Sequence, residues 1–227
     1  MADPYAQYLL GHEEGPGMLT RARIRATDLR VMRRASRGFT LVELAVAFTL
    51  LGILIAAGLP SFMAWIRNSQ VRTVAETLQS GVRQAQTDAL RLNQTVVLSL
   101  TDAAPALNSI AAANGKNWSI QTVALFDRGA VFVGGGKLSD VAANVAINGP
   151  AALCFNANGR VVDNATTGVP GATCTAGAKQ FDVQRNDYVS ASSGDRRLRV
   201  LVALGGQVRM CDPDRPTLSA TSPDGCP

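Results

Sequence analysis

The sequence Arg37-Gly-Phe-Thr-Leu-Val-Glu43 leads directly into 23 residues without a formal charge, from Leu44 to Ile66. An α-helix rises about 1.5 Å per residue, so this run is long enough to cross a hydrocarbon core of about 30 Å. Few helices of soluble proteins are apolar on every face over such a length. The run therefore predicts a membrane-spanning helix rather than a helix buried in a soluble core.

Positive charge is concentrated before this run. The 227 residues include 22 Lys+Arg, 17 Asp+Glu and one His, which gives a formal net charge of +5. Residues 1–38 contain seven arginines and four acidic residues, so most of the net charge lies there. Because arginine-rich flanks stay on the cytoplasmic side of a membrane, we expect a cytoplasmic N-terminus and a translocated body.

The composition argues against an enzyme or a metalloprotein. The only histidine, His12, lies in the basic leader, which leaves no material for a Ser-His-Asp triad or a multi-histidine metal site. Gly134–Gly136 lacks the Lys-Ser/Thr of a phosphate-binding loop and is interpreted as a turn. Asp212 and Asp214 are interpreted as solvated carboxylates rather than a calcium site. No cofactor and no metal are expected.

Three fates are open to an N-terminus of this kind. A secretory signal peptide has a shorter apolar core, of about 7–15 residues. A permanent anchor leaves Glu43 unexplained, since an intramembrane carboxylate is costly and usually partnered. The third is suggested by Arg37–Glu43 itself, which resembles the type IV prepilin signal. That resemblance implies cleavage between Gly38 and Phe39 by the prepilin peptidase, followed by N-methylation of Phe39.

The spacing has a physical rationale. Glycine at the cleavage site lets the backbone approach a protease without a side-chain clash. In a filament, the carboxylate of Glu43 can neutralise the terminal amine of a neighbouring subunit in a medium of low dielectric constant. The leader of 38 residues is long for this class, and Met32 is an alternative start that leaves a short basic leader.

The helix is predicted to continue from Phe39 to Leu92. Residues 39–66 form its transmembrane half and residues 67–92 its amphipathic half, while Pro60 should kink or locally melt it. An apolar stripe follows steps of three and four residues along the second half. Its members are Val71, Val74, Ala75, Leu78, Val82, Ala85, Ala89 and Leu92.

Residues 93–227 are predicted to form a β-rich head, so the fold class is α+β with an antiparallel sheet packed on the long helix. The expected strands are Thr95–Leu100, Ser119–Phe126, Val141–Ile147, Ala152–Phe155, Arg160–Val162, Phe181–Gln184, Leu198–Leu204 and Gln207–Cys211. The last two should form a hairpin around Gly205 and Gly206.

The body also resembles the GspH/FimT family of minor pilins and pseudopilins. The motifs that carry this resemblance are Arg91–Val96, Asn117–Ile120, Phe155–Arg160 and Gly206–Cys211, in this order along the chain. The resemblance implies a pilin-like fold and a subunit at or near the tip of a type IV pilus, or of a type II secretion pseudopilus.

All four cysteines lie on the translocated side, where an oxidising periplasm permits disulfides. Four cysteines allow three pairings. We favour Cys211–Cys226, which ties a proline-rich tail to the last strand, together with Cys154–Cys174, which closes the intervening loop. Each is expected to stabilise the fold by roughly 3 kcal/mol.

A basic cluster lies in the last hairpin and directly before it. It consists of Arg196, Arg197, Arg199 and Arg209. Some FimT-type proteins bind DNA through a Gly-Arg-x-Arg pattern at this strand, whereas here Gln207 replaces the first arginine. DNA is therefore a partner that the sequence allows but does not favour, and a solvated charged edge is the simpler interpretation.

We therefore expect a structural subunit rather than an enzyme: a minor type IV pilin that is cleaved, N-methylated and incorporated at or near the pilus tip to prime or cap assembly. The alternatives are a type II secretion pseudopilin and a DNA-binding tip subunit. The expected partners are the prepilin peptidase, the major and other minor pilins (or pseudopilins), and the bacterial inner membrane before assembly, with the head in the periplasm.

Overall fold

A computed structural model describes residues 38–191, 194–215, 217–219 and 221–227. The leader predicted over residues 1–38, including the alternative start at Met32, lies outside the described residues except for Gly38. The chain divides into two units, Met1–Ala47 and Phe48–Pro227.

The predicted long helix is present as α1, which extends over 52 residues from Leu41 to Leu92. It is continuous through Pro60, so the local melting expected there does not occur. Proline removes only one backbone donor from a helix. Next to it, the Ser61 hydroxyl donates to the Gly58 carbonyl at 2.9 Å.

Eight strands follow α1 and form two antiparallel sheets of four strands each. They are β1 (Val96–Thr101), β2 (Asn117–Thr122), β3 (Phe132–Lys137), β4 (Val145–Asn148), β5 (Ala152–Phe155), β6 (Lys179–Arg185), β7 (Leu198–Val202) and β8 (Val208–Cys211). The strand orders are β3-β2-β1-β5 and β4-β6-β7-β8. The predicted α+β class is confirmed.

The apolar stripe of α1 packs against both sheets in one core. All its predicted members are fully buried except Leu92, which is half-buried. Apolar side chains of the strands complete this core, among them Leu98, Ile120, Phe181 and Val200. The other face of the first sheet buries a smaller cluster around Val97 and the Cys154–Cys174 disulfide.

The interpretation of Gly134–Gly136 as a turn is wrong, because these glycines form the middle of strand β3. The indole of Trp118 lies so close to both Gly81 of α1 and Gly136 of β3 that a Cβ on either would collide with it. The glycines therefore make room for a buried aromatic ring rather than reverse the chain.

Three other strand predictions need correction. The strand expected over Ser119–Phe126 ends at Thr122. Arg160–Val162 makes only an isolated bridge, between Val161 and Phe155, because the chain there covers the edge of β5. The strand expected over Val141–Ile147 begins only at Val145, after a 3₁₀ turn over Leu138–Asp140. The last hairpin is confirmed: β7 and β8 pair antiparallel, with Gly206 at a φ of 87° between them.

Candidate functional site

The residues around the expected cleavage site lead into the first turn of α1. Gly38 and Phe39 precede the helix and are exposed. Thr40 caps the helix, since its Oγ1 accepts a hydrogen bond from the Glu43 N–H at 3.2 Å. The Thr40 carbonyl accepts the next one, from the Leu44 N–H at 3.1 Å. A cap of this kind satisfies backbone donors that have no partner within the helix.

Sequence reasoning missed the role of Thr40, although a signal for it was present. Thr40 and Glu43 form a Ser/Thr-x-x-Glu pattern directly before an apolar run, which is a helix-start signature. The cap fixes the point at which the helix begins, and thereby places Glu43 in its first turn. A carboxylate in the first turn is favoured by the helix dipole.

The first part of α1 is apolar and is not covered by the other described residues. All side chains from Gly38 to Met63 are exposed, and α1 is long and apolar enough to cross a membrane by length and composition. After Glu43, no charged residue occurs in the sequence until Arg67. Among the described residues, Glu43 forms no ion pair.

The arginine cluster is brought together only in part, and two of its members are neutralised. Arg199 of β7 holds Asp182 of β6 through two hydrogen bonds of 2.6 and 2.9 Å. Arg197 pairs with Asp214 at 2.8 Å. In each arginine the hydrogen bond to the carboxylate is the main cause of a raised pKa, opposed by burial. The charge available to a DNA phosphate is correspondingly reduced.

The other two arginines lie apart from these pairs. Arg209 of β8 is opposite Leu201 of β7 in the hairpin register and is half-buried. Arg196 is exposed and lies beside α1, where its N–H donates to Oδ1 of Asn68 at 2.9 Å. Arg196 thus lies before β7 and beside α1, whereas Arg199 and Arg209 lie within the strands of the hairpin.

Tyr188 completes a network around Asp214. Its hydroxyl donates to Oδ2 of Asp214 at 2.6 Å, and the guanidinium of Arg197 lies 5.7 Å from its ring centroid. Burial, followed by the hydrogen bond to Asp214, raises the pKa of Tyr188 to about 12. Burial acts to raise the pKa of Asp214, but the hydrogen bonds from Arg197 and Tyr188 outweigh it and lower that pKa.

The structure joins the same two cysteine pairs that the sequence analysis favoured, Cys154–Cys174 and Cys211–Cys226. The second bond holds the tail against the end of β8. The tail is held further by Arg215, which lies 3.6 Å from Asp212 and 3.1 Å from Asp224. Within the described residues, no group of three His, Cys, Asp or Glu side chains could hold a metal ion.

Comparison with protein families identifies the first part of the chain. Residues 33–59 match the prokaryotic N-terminal methylation motif. The chain carries a prepilin-type N-terminus. The matched residues include the expected cleavage site, the Thr40 cap and the first part of α1. The matched segment thus overlaps the exposed first part of α1.

Two solved structures resemble this prepilin-type chain at low identity. The type IV minor pilin FimU of Pseudomonas aeruginosa has 16% identity and a TM-score of 0.44, over 68% of this chain and 98% of FimU. The minor pseudopilin EpsH of the Vibrio cholerae type 2 secretion system has 9% identity and a TM-score of 0.42, over 64% and 99%. A search of curated proteins finds no match.

The described residues fall into two parts, an exposed helical segment and a folded head. The segment offers an apolar helix with a single carboxylate near its start. The head supplies two antiparallel sheets packed on the second half of the same helix.

Proposed function

We propose that the chain is the precursor of a minor type IV pilin. Prepilin peptidase cleaves it between Gly38 and Phe39, Phe39 is N-methylated, and the mature subunit joins a pilus at or near its tip to prime or cap assembly. One observation carries the proposal. The methylation motif over residues 33–59 coincides with the start of an exposed apolar helix whose first turn contains Glu43.

Before assembly, the mature subunit is stored in the bacterial inner membrane. The arginines that precede the apolar run favour a cytoplasmic N-terminus, because positive flanks resist translocation. The two disulfides of the head fit the oxidising periplasm on the other side. The partners in this scheme are the prepilin peptidase, the major pilin and the other minor pilins.

Glu43 is the residue on which incorporation depends. Its carboxylate is costly in hydrocarbon unless a cation pairs with it. The N-terminal amine of a neighbouring Phe39 is such a cation, so assembly relieves a cost that the stored subunit carries. Breaking a buried ion pair by removal of one partner costs about 3–5 kcal/mol, whereas an exposed pair contributes little.

The test compares three variants in cells that assemble the filament. Glu43→Ala is expected to be cleaved normally but lost from sheared filaments, since it removes the charge that pairs with a neighbour. Gly38→Val should accumulate as uncleaved precursor. Glu76→Ala removes an exposed carboxylate from the same helix, paired only with Arg72, and should behave as wild type. Normal incorporation of Glu43→Ala overturns the role of the carboxylate.

Mass spectrometry of the mature N-terminus checks the processing directly. The expected peptide begins at Phe39 and carries one methyl group on its amine. A type II secretion pseudopilin has the same N-terminal chemistry and remains the alternative function. Purification of the assembled filament distinguishes the two, because the subunit is then found with pilus subunits or with secretion pseudopilins.

A further inference from the structure

We propose that a cavity beside Trp65 binds the headgroup of an anionic phospholipid, with Arg196 as the ligand of its phosphate. The proposal rests on the membrane storage proposed above and assigns a specific lipid contact to the stored subunit. The cavity has a volume of about 780 Å³. It lies between α1 and the ends of β7 and β8, and its lining includes Trp65, Asn68, Arg72, Arg196 and Met210.

The cavity lies at the level where the helix leaves the hydrocarbon. The uncharged run ends at Ile66, and Arg67 is the first charged residue after it. Trp65, directly before this boundary, is 65% exposed. Tryptophan is enriched at the boundary between hydrocarbon and headgroups, where its ring is apolar and its N–H can reach polar groups. A cavity lined by Trp65 and Asn68 therefore opens among the headgroups.

Three hydrogen bonds hold Arg196 at this level. Its own N–H donates to Oδ1 of Asn68 at 2.9 Å. The Asn68 amide donates in turn to the Gly194 carbonyl at 2.9 Å. Nε of Arg67 donates to Oδ1 of Asp195 at 3.1 Å. Residues 194–196 are thus fastened to the two helix residues that directly follow the apolar run, and Arg196 cannot move away from the boundary without breaking these bonds.

The charged residues of the cavity lining, Arg72, Arg196, Asp212 and Asp224, sum to zero, and Arg196 is the arginine among them that has no carboxylate partner in the described residues. Arg72 pairs with Glu76 at 2.8 Å. Asp212 and Asp224 also line the cavity, and both face Arg215. The guanidinium of Arg196 forms no ion pair with any described residue and is exposed to solvent.

A guanidinium in this position suits a phosphate, to which it can donate two parallel hydrogen bonds. The apolar walls of the cavity, Val71, Leu198 and Met210, suit the glycerol and upper acyl region of a lipid. A headgroup with a net negative charge should be preferred over a zwitterionic one, because the latter brings its own cation to the phosphate. The proposed ligand is therefore an anionic phospholipid of the outer leaflet of the inner membrane.

The experiment uses the full mature chain, reconstituted in bilayers of phosphatidylglycerol and phosphatidylcholine in equal parts. Native mass spectrometry after extraction measures which lipid stays bound. We expect phosphatidylglycerol to be enriched, and Arg196→Gln to reduce that enrichment about fivefold, the effect of one basic residue at a membrane surface. Arg196→Lys should retain part of it, since the charge remains.

The matched control is Arg209→Gln, which removes the same charge from β8, where Arg209 is not among the cavity residues. It should leave the enrichment unchanged. The site is overturned if Arg196→Gln binds phosphatidylglycerol as well as wild type does. It is also overturned if Arg209→Gln reduces the enrichment of phosphatidylglycerol as much as Arg196→Gln does. It is also overturned if Arg196→Gln instead abolishes binding to a short DNA duplex while lipid retention is unchanged.

Flotation of the same chain with vesicles separates this inference from the proposed function. A chain that fails to float with vesicles contradicts membrane storage itself, and the lipid site with it. A chain that floats but shows no preference for phosphatidylglycerol contradicts only the lipid site. Equal thermal unfolding of Arg196→Gln and wild type establishes that the variant is folded.

Discussion

Arg67 and Asp195 form an ion pair of 3.1 Å between positions that are 128 residues apart in the sequence. Arg67 is the first residue after the apolar run, and Asp195 lies in the segment that leads into β7. Their side chains are 32% and 14% exposed, so the pair is partly shielded from water. It fastens the head to the helix at the point where the helix would leave the membrane.

A double-mutant cycle should detect this pair. We expect Arg67→Gln and Asp195→Asn each to lower the free energy of unfolding, with a coupling energy of about 0.5–1 kcal/mol that decreases with added salt. Denaturant unfolding of the mature chain in detergent measures it. The control pair is Arg72 and Glu76, which is more exposed and one helical turn apart, and its coupling should be about 0.3–0.5 kcal/mol. Equal coupling energies in the two pairs mean that the pair of Arg67 and Asp195 holds the head to the helix no more strongly than an exposed surface pair would.

The helix and the last hairpin were predictable because each depends on local spacing. The stripe from Val71 to Ala89 repeats at helical intervals and needs no knowledge of the partner surface. The hairpin at Gly205 and Gly206 is fixed by its turn. These features follow from the chain within a few residues, and the structure reproduces both.

The features that sequence reasoning missed depend on contacts between distant residues. Gly134–Gly136 has the composition of a turn, and only the position of Trp118 explains why glycine is required in a strand. Arg199 and Asp182 are 17 residues apart and become partners because β6 and β7 pair in that register. The basic cluster therefore looked more positive in the sequence than it is in the fold.

The contact between Gly136 and Trp118 gives a prediction about stability. A Cβ on Gly136 would overlap the buried indole, so Gly136→Ala should destabilise the fold by about 1–3 kcal/mol, as overpacked cores do. Gly129→Ala is the control, because no atom lies within 4 Å of its Cβ position, and it should change stability by less than about 0.5 kcal/mol. Thermal unfolding followed by circular dichroism reports both. A neutral Gly136→Ala contradicts the explanation given for β3.

The two disulfides should differ in their response to reductant. Cys154 and Cys174 are 0% and 3% exposed, within the second apolar cluster, whereas Cys226 is half-buried in the tail. Mild reduction without denaturant, followed by alkylation and peptide mass spectrometry, should therefore label Cys211 and Cys226 first. Labelling of Cys154 and Cys174 at the same rate contradicts this order.

Removal of the tail disulfide tests its energetic role separately. In the double variant Cys211→Ser/Cys226→Ser, the loss should be roughly 3 kcal/mol, because the bond closes a loop with a sequence separation of 15. Proteolysis should then cut the tail before the head. The ion pairs of Arg215 with Asp212 and Asp224 are expected to keep part of the resistance of the tail to the protease. A tail that stays fully resistant indicates that these ion pairs suffice.

The hydroxyl of Tyr188 should titrate at a higher pH than that of an ordinary tyrosine, and absorbance can follow its titration. The other two tyrosines, Tyr5 and Tyr8, lie in the leader, so absorbance of tyrosinate in the chain from Phe39 onward reports Tyr188 alone. Its expected pKa is about 12, because burial and the hydrogen bond to Asp214 both disfavour the anion. In Asp214→Asn the pKa should move toward its usual value near 10. Asp187→Asn is the control, since its carboxylate pairs with Arg185 instead.

The same shift determines how stability depends on alkaline pH. A group whose pKa is raised on folding contributes stability that is complete below its unfolded pKa and is lost as the pH rises through its folded pKa. For Tyr188 that window runs from about pH 10 to about pH 12. Wild type should therefore lose stability across it, measured by denaturant unfolding at each pH, and Tyr188→Phe should lose less. Equal slopes in the two proteins mean that the pKa of Tyr188 is not raised in the folded protein.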